Sequence, residues 1–326
     1  MTTPPDRATD RATDSAPTPG RESTPGRTVA RPRPTAAGVT LVVPAYNEEG
    51  GVEGVLERLC SLDLGVPLEI LVVNDGSTDG TDAILARWAE AQPRLSIIEH
   101  ARNQGYGAAL KTGFAAAAHE VVVITDGDGT YPEESIAELL ARIDDGAEMA
   151  VGSRTGASVH IPLVRRPAKW FLRKLASFLA GTPIPDLNSG LRAFRRELVL
   201  TYRPILPQGF SFTTTITLAS LTNHHRVDYV AIDYAHRAGR SKIRPIRDTL
   251  GFLSLIIRTV LYFNPLKVFY PVTFAIFLTL CGFVYYDMLV VDPPNLGDKT
   301  VLVFVALVQV LTVGLLADLI EKKSRL

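Results

Sequence analysis

Residues 120–134 read EVVVITDGDGTYPEE, and the junction in the middle of that stretch decides the fold. Val121, Val122, Val123, Ile124 and Thr125 run straight into Asp126-Gly127-Asp128 with no polar side chain alternating among them. A strand that is apolar on both faces is covered on both faces, which is the condition of a parallel sheet flanked by helices. The carboxyl end of such a strand is where open α/β sheets hold their ligands. Here that end carries two carboxylates separated by one small residue. Oxygen donors in this spacing suit a hard cation such as Mg2+ or Mn2+, which commonly shares one or two carboxylates with a diphosphate and needs no closed protein cage. A solvated acidic turn accounts equally well for the three residues taken alone.

Working outward, short apolar runs alternate with longer helical stretches. VTLVVPAY (39–46) precedes a helix near Val52–Leu62; LEILVVN (68–74) precedes one near Thr81–Gln92; LSIIEH (95–100) precedes one near Ala108–Ala118. After the acid pair come a helix near Glu133–Asp144 and AEMAVGSR (147–154). This order predicts an α/β domain. Two further run-ends are polar and turn-forming, PAYNEE (44–49) and NDGS (74–77). In the first, Tyr46 can stack on a base and Glu48 can bind hydroxyls, while Asn47 as a helix cap explains part of the same string. In the second, Asp75 can accept from a base or a ribose hydroxyl and Ser77 and Thr78 can start the next helix, although NDGS is also a good turn sequence.

The 326 residues carry 34 Lys and Arg against 34 Asp and Glu, so no bulk attraction to nucleic acid is expected. Cys60 and Cys281 lie far apart, which excludes a disulfide framework and a Cys-rich metal site; both are expected as buried small apolar residues. Residues 1–38, with the repeat DRATDRATD and almost no large apolar side chains, are expected to be a disordered tail. The tail lacks the apolar core of a secretory signal, so the globular region is expected in the cytoplasm. Residues 161–181 and 243–263 mix aromatic and aliphatic side chains, among them Trp170, Phe171 and Phe178, with Arg and Lys, as in helices lying in a membrane interface. Val268–Tyr286 and Thr300–Ala317 hold no charged side chain, and each can cross about 30 Å of hydrocarbon as a helix. Lys267 before the pair and Lys322, Lys323 and Arg325 after it predict that both ends lie inside.

Five strings are more specific: ARNQGYGAALKTGF (101–114), DGDGTYPEE (126–134), VGSR (151–154), PDLNSGLRAFRRE (185–197) and HRAGRSK (236–242). With the strand ends above, they resemble glycosyltransferase family 2, in the branch of dolichyl-phosphate mannose synthases and bacterial polyprenyl-phosphate hexosyltransferases. The resemblance spans Val39 to Lys242 and implies a GT-A fold, a Rossmann-like and mostly parallel α/β sheet. It implies inverting transfer of one hexose from a UDP- or GDP-sugar to a polyprenyl phosphate. Pro44, Tyr46, Glu48, Val73, Asp75, Lys111, Asp126 and Gly127 would line the nucleotide-sugar pocket, and Asp126 and Asp128 would hold Mg2+ or Mn2+ on the diphosphate. Arg154 and Lys242 would bring positive charge to phosphates, Asp186 would orient a sugar hydroxyl or the acceptor, and Ser189, Arg192 and Arg237 would meet the acceptor phosphate. Asp128, Arg154, Asp186, Arg192 and Lys242 form the expected catalytic set, with Gly190 allowing close backbone approach.

Two positions depart from the pattern: Thr130 stands where mannose synthases of the branch often carry a glutamine, and Arg237 stands closer to Gly239 than the family's arginine commonly does. The expected organisation is a tail (1–38), a transferase domain (39–242) that includes the interfacial helix 161–181, an amphipathic helix (243–264) and two transmembrane helices with a short cytoplasmic tail (265–326). A multi-pass cell-membrane protein follows, its catalytic domain cytoplasmic and its partners a nucleotide-sugar, a polyprenyl phosphate and membrane lipids. A processive polysaccharide synthase would normally carry a QxxRW string and more spans, which are not found. A non-catalytic nucleotide-sugar-binding membrane scaffold is the other alternative at this stage. The sugar, the base, the prenyl length and whether the chain forms a homo-oligomer stay open.

Overall fold

Side chains alternate across a strand, and β1 (Val39–Ala45) uses both directions. Val39, Leu41 and Val43 enter one apolar core while Val42 enters another, all of them fully buried. A computed structural model describes residues 34–155, 166–233, 245–290 and 295–324. β1 pairs in parallel with β2 (Leu68–Asn74) and with β4 (Val121–Ile124), and β2 pairs in parallel with β3 (Leu95–Glu99). Val121 and Val123 repeat the split against Val122 and Ile124. The continuous apolar runs are therefore explained by cover on both faces.

One face is covered by α1 (Val52–Ser61) and α4 (Ile136–Asp144). They bury Val52, Val55, Leu56 and Leu59, and Ile136, Leu139, Leu140 and Ile143, the same helical stripe in each case. α2 (Thr81–Ala91) adds Leu85. The other face is covered by α3 (Tyr106–Ala116), α6 (Arg196–Tyr202) and α7 (Phe212–Thr222), with Phe114 edge-on to Phe194 at 5.3 Å.

Among the described residues the sheet has seven strands in the order β3-β2-β1-β4-β6-β5-β7, completed by β5 (Met149–Ser153), β6 (Arg192–Arg195) and β7 (Val227–Ala231). Six strands run one way and β6 runs against both neighbours, Ile124 and Val151 each facing Arg192 in register. Because β6 is reversed, the loop that precedes it arrives at the carboxyl ends of β4 and β5.

A third apolar cluster joins α5 (Arg166–Ala180), α7 and α8 (Pro245–Phe263) through Ala176, Leu179, Leu218, Ile256 and Val260, and Ile184 of the loop before β6 packs into it. Trp170, Phe171 and Phe178 point away from it and are exposed. Two long apolar helices follow, α9 (Leu266–Leu289) and α10 (Asp298–Ser324). At about 1.5 Å per residue each exceeds the ~30 Å of a bilayer core. They pack closely where Gly314 of α10 meets the Phe269 side chain.

Several expectations are corrected. Pro34–Ala37, assigned to the tail, forms a 3-10 turn whose Thr35 hydroxyl donates to Asp144 at 2.7 Å, so the packed body reaches back at least to Pro34. Asn47 does not cap its own helix, because α1 starts at Val52 with Gly51 in the cap position; its Oδ1 accepts from the Thr78 backbone N–H at 2.7 Å. Asp287 and Lys299, expected in the segment connecting the two spans, are instead helical and form a 3.6 Å pair, with Lys299 over the Tyr286 ring at 4.3 Å. Cys281 is exposed on apolar α9 and Cys60 is half-buried.

Candidate active site

The strand ends PAYNEE and NDGS are stitched to each other. The Asn47 N–H donates to Ser77 Oγ at 3.1 Å, the Glu48 N–H to Thr81 Oγ1 at 3.0 Å, and Gly80 N–H to Glu49 Oε2 at 2.8 Å. Asn47 holds a left-handed backbone, φ 55°, which asparagine tolerates in such turns. The stitching leaves the Tyr46 ring 43% exposed at the rim. Pro44 is buried opposite Val73 in the β1–β2 register. Val73, expected to line the pocket, has its side chain wholly inside the core with Val42 and Leu110, because its position in the pleat points it under α3. Asp75 is buried and already accepts from three donors: His100 Nδ1 at 2.7 Å, Gln104 N–H at 2.9 Å and Gly105 N–H at 2.8 Å. It therefore ties the start of α3 to the end of β2.

Asp126 and Asp128 leave the end of β4 half-buried, with Gly127 buried between them. Gly127 lies under the PAYNEE strand end; a Cβ there would sit 3.4 Å from the Pro44 carbonyl and 3.9 Å from Glu48 Cγ. On the facing side is Gly190, where a Cβ would fall 2.7 Å from both carboxylate oxygens of Asp126. A side chain there would have to displace the Asp126 carboxylate, so glycine is what lets the loop before β6 pass this close. The Gly190 N–H donates to the Tyr131 hydroxyl at 2.7 Å, and burial followed by the Asp126 charge pushes the Tyr131 phenol well above its usual range. The Tyr106 hydroxyl, from the first turn of α3, donates to Asp126 Oδ1 at 3.0 Å. Thr130, at the position where the resemblance led to a glutamine, donates its hydroxyl to Asp128 Oδ1 at 2.7 Å.

The loop before β6 carries a second charged unit. Arg154 donates to Asp186 through Nε at 2.8 Å and Nη2 at 3.0 Å, and the Asn188 N–H adds a bond of 3.0 Å. Burial opposes ionisation of Asp186, but the Arg154 fork and charge outweigh it and hold the carboxyl at about 2. Arg192 was expected to meet a phosphate. Instead its guanidinium is fully enclosed, donating to the carbonyls of Ser189 at 2.7 Å and Leu187 at 2.8 Å and to Thr217 Oγ1 at 2.6 Å. The physical reason is its place in β6 between β4 and β5, which sends the side chain under the loop it supports. Ser189 is fully buried as well. Lys111 donates to the Leu206 carbonyl from the far side of α3 and is not brought to the acid pair. Arg237 and Lys242 lie outside the described residues.

Sequence reasoning left Tyr106, Tyr131 and His100 without roles. Tyr106 and His100 stand in or beside the 101–114 string, but nothing in one sequence indicates that either side chain meets an aspartate.

Among the described residues no three His, Cys, Asp or Glu side chains converge as a closed metal cage. The half-buried carboxylates of Asp126 and Asp128 are hard oxygen donors, so their chemistry fits an ion such as Mg2+ or Mn2+. Residues 40–203, half of the chain, match the model for glycosyl transferase family 2.

The chain belongs to glycosyltransferase family 2.

Within family 2, its residues 264–322 also match the GtrB C-terminal hairpin, the pair α9 and α10. A polyprenol monophosphomannose synthase of Mycolicibacterium smegmatis is 32% identical over 226 residues, 67% of this chain and 84% of that protein. A bactoprenol glucosyl transferase of Shigella phage SfV is 29% identical over 294 residues, 87% of this chain and 93% of that protein. Among solved structures, the glucosyl-3-phosphoglycerate synthase of Mycobacterium tuberculosis in complex with Mn2+, UDP-glucose and phosphoglyceric acid superposes with a TM-score of 0.55. It is 21% identical and covers 73% of this chain and 85% of that one. The likeness is one of fold, and it bears out the mostly parallel α/β sheet expected of a family 2 enzyme.

Proposed function

We propose that this family 2 glycosyltransferase moves a single hexose from a UDP- or GDP-sugar onto a polyprenyl phosphate, with inversion, releasing the nucleoside diphosphate. The observation that carries the proposal is the position of the loop facing the acid pair. The same Asp186–Gly190 loop that touches Asp126 is rooted, through Ile184 and Leu187, in the cluster shared by α5, α7, α8 and Val268 of the apolar hairpin. A donor at the acid pair and a lipid at the hairpin are thus served by one short segment. Two relatives named for different sugars but both for a prenol lipid support the acceptor class and leave the sugar open.

In this reading Asp126 and Asp128 hold Mg2+ or Mn2+, and the ion, when bound, neutralises charge on the departing diphosphate. Tyr46 offers its exposed ring to the base and Glu48 binds donor hydroxyls, while Asp75 keeps the rim in shape. An acceptor phosphate monoester is ionised near neutral pH, so the chain needs no strong general base; its work is orientation and charge. Arg154 and the Ser189 segment meet the acceptor phosphate, a role that the family resemblance also gives Lys242 and Arg237, and Asp186 fixes the Arg154 fork. Arg192 acts from below by holding the Leu187 and Ser189 carbonyls. We further propose that the chain is a multi-pass membrane protein with its catalytic domain and both hairpin ends in the cytoplasm. Lys267, Lys322 and Lys323 at the domain-side ends of α9 and α10 support that orientation.

The test is transfer of radiolabel from a panel of UDP- and GDP-sugars into organic-extractable lipid at saturating Mn2+. One donor should label the lipid, and Asp128→Asn should reduce labelling by about 100-fold or more while thermal unfolding is unchanged. Near-normal turnover by that variant would remove the metal assignment.

A further inference from the structure

A side chain that meets Asp126 from outside its own loop, that of Tyr106, has been given no role so far. Tyr106 opens α3, its hydroxyl donating to Asp126 Oδ1 at 3.0 Å. Its ring is fixed from the outside by Phe210, stacked at 5.3 Å with an 18° interplanar angle. Phe210 is 79% exposed, an unusual place for a large apolar side chain, and it sits on a loop clamped to the start of α3. Ala108 N–H donates to the Gln208 carbonyl at 3.0 Å, and a Cβ at Gly105 would fall 2.6 Å from that same oxygen. On the other side of the carboxylate stands Gly190, itself anchored by Tyr131. Asp126 is therefore held between a hydroxyl and a flat glycine face, both immobilised by neighbours outside its own turn.

We propose that Tyr106 is a positioning residue for Asp126, fixing the carboxylate in the orientation that takes a divalent cation, with Phe210 as the exterior brace of the Tyr106 ring. The proposal rests on the reading of Asp126 and Asp128 as metal ligands. A hydrogen-bonded partner behind a ligand sets its direction, and its loss lowers metal affinity by about tenfold or more.

The experiment measures Mn2+ binding to the full detergent-solubilised chain in the presence of UDP, by the loss of the free-ion electron paramagnetic resonance signal, beside thermal unfolding and Mn2+-dependent transfer. Tyr106→Phe removes one oxygen and nothing else. It should weaken Mn2+ binding about tenfold with an unchanged unfolding midpoint, and transfer should recover as Mn2+ is raised. Phe210→Ala should shift the same constant in the same direction by a smaller factor. It also carries the test alone if Tyr106→Phe does not fold. Mn2+ affinity within twofold of the parent in the folded variants, with transfer lost at every Mn2+ concentration or not altered at all, overturns the proposal. Asp128→Asn measured in parallel separates the two ideas. If it leaves Mn2+ binding intact, the ligand assignment itself fails; if it abolishes binding while Tyr106→Phe does not change it, only the positioning role falls.

Discussion

Asp186 shows how an ionisable group can be legible as a residue and illegible as a partner. The sequence marks it as an acid in a glycine-containing loop, but that its counter-ion is Arg154, 32 positions upstream, follows only from the reversed strand that brings the two loops together. The pairing predicts a pH dependence. The carboxyl titrates at about 2 in the folded chain against 3.8 ordinarily, so its contribution is complete above about pH 4 and is lost as pH falls through about 2. By linkage that contribution is roughly 2 kcal/mol. Asp186→Asn should remove this acid-dependent part of the unfolding curve and cost about 3 kcal/mol at pH 7, since it strands a guanidinium that is largely buried. An unfolding midpoint that falls identically with pH in parent and variant between pH 5 and 2.5 would sink the assignment. Arg192 teaches the complementary lesson. An arginine in a loop motif suggests a phosphate, yet Arg192 opens a strand that lies between β4 and β5, and its bonds to Ser189, Leu187 and Thr217 leave nothing exposed.

At the scale of elements, β1 to β5 and α1 to α4 could be read because each strand is an apolar run and each helix carries one stripe. β6 could not: RAFR is four residues long with an arginine at either end. Nor could α7, FTTTITLASLT, which is buried on all sides and so has no stripe. Several of its hydroxyls find acceptors, Thr217 bonding to the Thr213 carbonyl at 2.7 Å, Ser220 to that of Ile216 at 2.8 Å and Thr214 to Asn188 Oδ1 at 2.6 Å, which supports a polar composition in the core. α5 was legible as amphipathic, but the structure divides its apolar residues between the interior, at Ala176 and Leu179, and the exposed side, at Trp170, Phe171 and Phe178. The exposed set is the membrane-facing one in our reading. Replacing Trp170, Phe171 and Phe178 with Ser should raise the KM for a long polyprenyl phosphate about tenfold or more, at about 0.8 kcal/mol for each methylene-sized unit of lost burial. A soluble short-chain prenyl phosphate should be little affected. Equal effects on both acceptors would mean that α5 is not a docking surface.

Over the whole molecule, the proposed topology places the α9–α10 turn across the bilayer from the acid pair. Leu296 is exposed at that turn, and Gly50 has open space around it at the donor rim. In intact cells of a variant lacking Cys60 and Cys281, Leu296→Cys should react with a membrane-impermeant maleimide and Gly50→Cys should react only after lysis. The reverse pattern would invert the topology. The reversed course of β6 has a wider meaning. The run from Pro185 to Leu191 belongs to none of the six co-directional strands; it meets Asp126 from the opposite polarity, packed on the α5, α7 and α8 cluster on one side and held by Arg192 of β6 on the other. Donor chemistry and lipid fit are thereby coupled through seven residues: a change there that alters which carrier is served also moves the glycine that lies against Asp126.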